Sequence, residues 1–149
     1  MKFLLKSMVA SSIVAASMGA MASPCDNAMI ELHNETDTVL KIVDIDLMGE
    51  TTLTPGHASF EIRAGDTQVF DVSSGVNTHG NAKGVITFIN KDNMSSDKPH
   101  KFMTVTFDFE NKLWLSCDKH VEVFSRKTED YKPYVVPGFK NNVKVFVVN

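Results

Sequence analysis

The stretch from Ser73 to Gly84, SSGVNTHGNAKG, holds three glycines, two serines and one histidine, and a β-branched apolar run, VITF, follows it. Three chemistries are open to such residues. A glycine loop that cradles phosphate needs a helix behind it, so that amides and dipole converge on the anion. Here Gly84 opens a strand-like run, and the Lys-Ser or Lys-Thr ending is missing. A metal role for His79 needs partners, yet His33, His57, His100 and His120 are scattered, with no HxH, HExxH or CxxC. A serine nucleophile is normally set in a strained GxSxG elbow, which neither SSGVN nor GHASFE supplies. A triad assembled from distant residues stays open, because its members need not be adjacent. The pairs Asp44/Asp46 and Asp108/Glu110 lie at i and i+2, on one face of a strand. Each is either a carboxylate pair or a solvent-facing stripe. We therefore expect no enzyme, no metal and no cofactor.

Binding is the better expectation. Trp114 is the single tryptophan, and Tyr131 and Tyr134 are the only tyrosines, close to Pro133 and Pro137. Such side chains have an apolar body and a polar tip, which suits a membrane interface or a binding groove. With Ser73 and Ser74 of the glycine-rich loop they form the candidate binding set. Cys25 and Cys117 are the only cysteines left for a disulfide, the simplest use of a pair in an oxidising compartment.

The elements that must position these residues are strands. After Ser23 no long segment has a 3.6-residue apolar period, and period-2 runs recur between turn residues. Ile30 and Leu32 alternate with Glu31 and His33. The run from Thr38 to Leu47 changes phase midway, as a β-bulge near Ile42-Val43 would require. Thr54-Pro55-Gly56-His57 fits a type II turn, and Ala64-Gly65-Asp66 turns the chain again. Val105, Phe107 and Phe109 alternate with Thr104, Thr106 and Asp108, and Asn111-Lys112 is placed as the turn into a strand from Leu113 to Ser116. The polar stretch KDNMSSDKP offers little to bury, and Pro137-Gly138 precedes the last strand. About nine or ten short strands at roughly 8–12-residue spacing predict an all-β fold, an antiparallel β-sandwich.

Residues 1–22 have the marks of a signal peptide: Lys2 and Lys6, a modestly apolar small-residue stretch, and Ala20-Met21-Ala22 as a cleavage site. Pro24 before Cys25 argues against lipidation of that cysteine. The expected mature chain is a single domain, residues 23–149, in a secreted or periplasmic location of a bacterium. The leader carries two of the fifteen basic residues, so thirteen face eighteen acidic ones, a net charge of −5. Such a domain has no electrostatic reason to bind nucleic acid, and gains little from anionic lipid in general.

Several segments, over Met29 to Phe109, resemble the actinoporin and aegerolysin group of small β-sandwich cytolysins and lipid-binding proteins. IELHNETDTVLKI is similar to their first strand, Asn-x-Thr turn and second strand. IRAGDTQVFDVSSG resembles their Ile-x-x-Gly strand leading to a Ser/Gly loop, and AKGVITF and FMTVTFDFE resemble the two strands that follow. The resemblance implies a sandwich whose loop end, including Ser73 and Ser74, recognises lipid. It stops short of pore formation. Only about six residues separate Ala22 from the first strand, so the amphipathic pore helix of actinoporins has no counterpart. The rich Tyr/Trp cluster is missing, and NKLWLSC stands where aegerolysins carry Trp-Asp-Cys-Pro-Trp-Gly. Two expectations follow: a non-enzymatic binder of membrane lipid or a host-cell surface, or a protein-binding module acting through an exposed sheet edge. The first places Trp114 or the tyrosines exposed beside the Ser73 loop. The second needs a long uncovered edge or a wide apolar patch.

Overall fold

The computed structural model describes residues 24–75, 79–91, 102–125, 132–138 and 141–148. The leader, residues 1–22, lies outside them. The described residues form ten strands: β1 (Ala28–Glu35), β2 (Leu40–Met48), β3 (Thr52–Thr54), β4 (Glu61–Ile62), β5 (Thr67–Ser73), β6 (Ala82–Asn90), β7 (Phe102–Lys112), β8 (Ser116–Ser125), β9 (Lys132–Pro137) and β10 (Asn142–Val148). They make two five-stranded sheets, sheet A in the order β3-β5-β1-β10-β9 and sheet B in the order β4-β2-β6-β7-β8. The fold is a β-sandwich, as the alternating pattern predicts.

The period-2 pattern explains the core. In β1 Ala28, Ile30 and Leu32 are buried while Met29, Glu31 and His33 face outward, and β10 alternates in the same way. Phe70, Phe88, Phe107 and Phe109 are the largest side chains in the fully buried set that joins the sheets. Gly84 is needed for this packing: a Cβ there would lie 2.7 Å from the Phe107 ring and 2.8 Å from Leu47. In β2 the pairing register slips between Ile42 and Asp44. The bulge returns Ile45 and Leu47 to the core that Leu40 and Ile42 already face.

Three local expectations are corrected. The central pair of sheet A, β1 and β10, is parallel, although every other pairing is antiparallel. A parallel pair needs a long crossover, and here the rest of the domain lies between the two strands. Thr54-Pro55-Gly56-His57 is not a type II turn, because Gly56 is not left-handed. Glycine is required there by close approach instead, since an added Cβ would lie 2.6 Å from the Leu53 carbonyl oxygen. The third correction concerns Asn111-Lys112, which belong to β7. The chain reverses two residues later, on Leu113, Trp114 and Leu115.

Asn34 anchors the β1–β2 turn from inside. Its amide donates to the carbonyls of Thr38 at 2.8 Å and Ile62 at 3.0 Å, and its Oδ1 accepts from the Thr36 amide and hydroxyl. A buried side-chain amide with partners on both ends can stay in the core without an unpaired polar atom.

Candidate functional site

Four segments meet at one end of the sandwich: the lead-in to β1, the β2–β3 turn, the β5–β6 loop and the β7–β8 hairpin. The last projects a tip. In the turn Lys112–Leu115, the Leu115 amide donates to the Lys112 carbonyl at 3.0 Å. Both central residues are left-handed, Leu113 at φ 53° and Trp114 at φ 60°. Positive φ at both central positions is the mark of a type I′ turn, which favours Asn-Gly and fits the twist of a hairpin. A bulky L-residue in this region is an outlier and costs about 1 kcal/mol or more. The leucines recover little of that cost by burial, since Leu113 is 85% exposed and the following Leu115 84%, whereas Trp114, at 46%, is about half covered by the fold.

The tip stands on a fixed base. The Asn111 Oδ1 accepts from the Trp114 amide at 2.9 Å, and the Asn111 side-chain amide donates to the His79 carbonyl at 2.8 Å. The Asn111 backbone amide donates to Asn81 Oδ1 at 2.8 Å. One residue thus ties the hairpin to the glycine-rich loop. Cys117, opposite Asn111 in the ladder, is disulfide-bonded to Cys25, with Cα atoms 5.0 Å apart. The next residue, Asp26, accepts at one Oδ1 from both the amide and the hydroxyl of Ser74, at 3.0 and 3.1 Å. The β5–β6 loop is closed by the Gly80 amide on the Gly75 carbonyl at 3.2 Å. Met48, at the end of β2, adds a 52% exposed apolar side chain beside Gly49, Asn81 and Lys83.

The expected binding residues therefore divide. Ser73, Ser74 and Trp114 lie at this end with the Cys25–Cys117 bridge beneath them. Ser73 is exposed at the end of β5, opposite Thr52, whereas the Ser74 hydroxyl is engaged by Asp26. Tyr134 lies elsewhere, on the outer face of sheet A, and Tyr131 lies outside the described residues. The sequence reading missed Leu113, Leu115, Met48 and Asn111. The signal for the leucines was present in LWL, three large apolar residues in a row, but they were assigned to a strand.

The outer face of sheet A carries a second constellation. The rings of His33, Phe146 and Tyr134 stack across β1, β10 and β9, with centroids 4.5 and 5.2 Å apart. Thr67 Oγ1 lies 2.9 Å from His33 Nδ1, and His33 Nε2 lies 3.1 Å from Glu31 Oε2. The connectivity is hydroxyl–imidazole–carboxylate, as in a hydrolytic triad, but with the two ring nitrogens exchanged relative to the serine-protease arrangement. The same bonds hold the imidazole flat against Phe146.

The sheet edges are guarded unevenly. β3 and β4 are short, and β9 carries Pro133 and Pro137, which cannot donate to an added strand. β8 is long, but β9 lies beside it across a cleft of about 290 Å³ lined by Lys119, Val121, Val135 and Pro137. Among the described residues, no three His, Cys, Asp or Glu side chains gather in a way that could hold a metal ion.

The ion pairs below the tip neutralise its nearest lysines. Lys112 Nζ is 2.8 Å from Glu110 and Lys83 Nζ is 2.8 Å from Asp108. In each pair the hydrogen bond to the carboxylate, helped by its charge, raises the lysine pKa above the usual value.

No family model matches the chain, and no curated protein matches it in sequence. Two solved structures share the fold. The crystal structure of IP-1A from Alcaligenes faecalis superposes with a TM-score of 0.53 at 13% identity, over 87% of this chain and 94% of that one. The crystal structure of RahU protein in complex with a Tris molecule gives a TM-score of 0.53 at 11% identity, over 82% of this chain and 93% of that one. At these identities the likeness concerns architecture alone.

Proposed function

We propose that this protein is an exported, non-enzymatic module that binds lipid surfaces through the β7–β8 tip, in the manner of the actinoporin and aegerolysin group but without a pore-forming helix. One observation carries the reading. Leu113 and Trp114 occupy left-handed positions that a hairpin normally fills with Asn-Gly, and both remain exposed. At Leu113, 85% exposed, burial within the fold does not offset the strain, which points to a use outside it. A lipid surface supplies that use, because two leucines enter the acyl boundary while a tryptophan sits at headgroup level. Met48 offers a further contact on the flank. The disulfide agrees with an oxidising, secreted or periplasmic location.

The test is co-sedimentation with liposomes of varied composition, following Trp114 emission. A blue shift with pelleting is expected for the oxidised protein, and the Leu113→Ser/Leu115→Ser variant should lose both. Pelleting of that variant at wild-type levels would remove the tip from the binding surface.

The protein-binding reading has its own support in the outer face of sheet A, where Val69, Tyr134 and Val136 are exposed around the aromatic stack. Retention of a protein partner by wild-type but not by a Tyr134→Ser/Val136→Ser variant, with lipid binding absent, would favour it.

A further inference from the structure

The outer face of sheet A holds a hydroxyl, an imidazole and a carboxylate in one hydrogen-bonded row. Glu31 and His33 stand two residues apart on the outer face of β1, and Thr67 lies opposite His33 in β5. A carboxylate only accepts hydrogen bonds, so the 3.1 Å contact with Glu31 Oε2 puts the ring proton on His33 Nε2. Nδ1 of the neutral ring is then bare, and at 2.9 Å it accepts from the Thr67 hydroxyl. The ring cannot leave this line without losing its stack on Phe146, 4.5 Å away, which is backed in turn by Tyr134. Lys144 Nζ stands 3.9 Å from the same Glu31 oxygen. The His33 and Glu31 side chains are only 21% and 20% exposed, whereas Thr67 is an exposed residue. An oriented base is therefore held against a hydroxyl that a solute can reach, the pairing that activates a hydroxyl nucleophile.

We infer that Thr67 is a covalent acylation site, with His33 as its general base and an activated ester or thioester as the acyl donor. Thr67 Oγ1 forms a bond to the acyl carbon while its proton passes to His33 Nδ1. The bond from that carbon to the leaving oxygen or sulfur then breaks. The leaving atom departs with the electron pair and takes the proton from His33, and the product is an acyl-threonine ester. Glu31 is a positioning residue, which sets the tautomer and faces the imidazolium as it forms. Two features define the donor. The hydroxyl lies on an open sheet face, so water rather than an oxyanion hole meets the developing charge, and the acyl group must arrive already activated. Val69, two residues along the same face of β5 and opposite Glu31, is 37% exposed and gives the acyl part an apolar neighbour. One acyl group is taken per chain, without turnover, at a site separate from the β7–β8 tip.

The experiment incubates the oxidised protein with p-nitrophenyl acetate and locates the acetyl group by mass spectrometry of its peptides. Transfer to Thr67 is the expected result. His33→Phe, which keeps a ring against Phe146 and removes the base, should slow that transfer by about a hundredfold or more. Nitrogen NMR shifts of the His33 ring should show the proton on Nε2 in the wild-type protein. In Glu31→Leu they should show mixed tautomers, together with slower labelling of Thr67, a pairing that a merely structural Glu31 would not produce. Acetyl groups on lysines with none on Thr67 would overturn the inference, as would labelling of Thr67 in His33→Phe at the wild-type rate. Neither wild-type readout depends on a variant that folds: absence of label on Thr67, or a ring proton on Nδ1, overturns the inference by itself.

Discussion

Two turns in this molecule require left-handed backbone, one position in the first and two in the second, and meet it with opposite residue types. At Arg63–Asp66, Gly65 takes φ 82°, and the Asp66 amide closes the turn on the Arg63 carbonyl at 3.0 Å. At Lys112–Leu115, the left-handed positions hold leucine and tryptophan. The first turn is explained by local conformational preference, since glycine has no Cβ to clash. The second contradicts that preference and presents its side chains to solvent. Both turns reverse the chain between strands, so reversal alone does not account for the difference. A turn that departs from the local rule, on a base tied by Asn111 and a disulfide, is where a function external to the fold is expected.

The comparison can be broken first at the base. Only the hairpin turn has the Cys25–Cys117 bridge beneath it, and the bridge closes a separation of 92 residues. In the chain-entropy model its removal costs about 4–5 kcal/mol, an upper figure. A Cys25→Ala/Cys117→Ala variant should show a large fall in urea midpoint, and an unchanged midpoint would show that the bridge does not hold the domain together. Next in size is the tip. Burying a leucine is worth about 1.5–3 kcal/mol, so Leu113→Ser/Leu115→Ser should weaken vesicle binding by at least about a hundredfold. Its urea midpoint should change little, because both side chains are exposed.

A third substitution makes the two turns alike. Leu113→Asn with Trp114→Gly installs the residues that the backbone favours. It should stabilise the fold by about 1–2 kcal/mol and abolish attachment to vesicles, read by thermal melting and co-sedimentation. Gain in stability with loss of binding is the outcome that local strain retained for an external use requires. A loss of stability would mean that the leucine and tryptophan are held by contacts within the fold. The converse change, Gly65→Ala, places a Cβ at φ 82° and should cost about 1 kcal/mol with binding intact.

Much of this architecture was legible in the chain. Strict alternation in Ile30-Leu32 and Val105-Phe107-Phe109 assigned their inner faces, and the phase change in β2 located a bulge that the register slip at Ile42/Asp44 bears out. The cysteine pair is the disulfide. Pairing partners were less legible, because period 2 tells which face a residue takes and not which strand lies beside it. The parallel β1–β10 pair could not be read for that reason. The tip was misplaced for a different one. Polarity and turn propensity both favour Asn111-Lys112 as the reversal and argue against Leu113-Trp114. Where a turn departs from local preference, a rule built on local preference misplaces it, here by two residues. Ser74 shows a related limit: its hydroxyl could be seen in the sequence, but its engagement by Asp26 depends on a contact between positions 48 residues apart.

The smallest expected effect lies beside the tip. The Glu110 carboxylate raises the Lys112 pKa, so the folded state binds this proton more tightly than the unfolded chain. Any stability from that linkage is fully present below the unfolded lysine pKa and is lost as pH rises through the folded value, in the alkaline range only. Both side chains are about half exposed, and solvent screening leaves such a pair little net effect. Lys112→Gln should therefore melt as wild-type does at neutral pH and bind vesicles with unchanged affinity. If the substitution instead abolished binding, attachment would depend on a cation at the hairpin base, and the contrast between the two turns would rest on charge rather than on the exposed leucines and tryptophan.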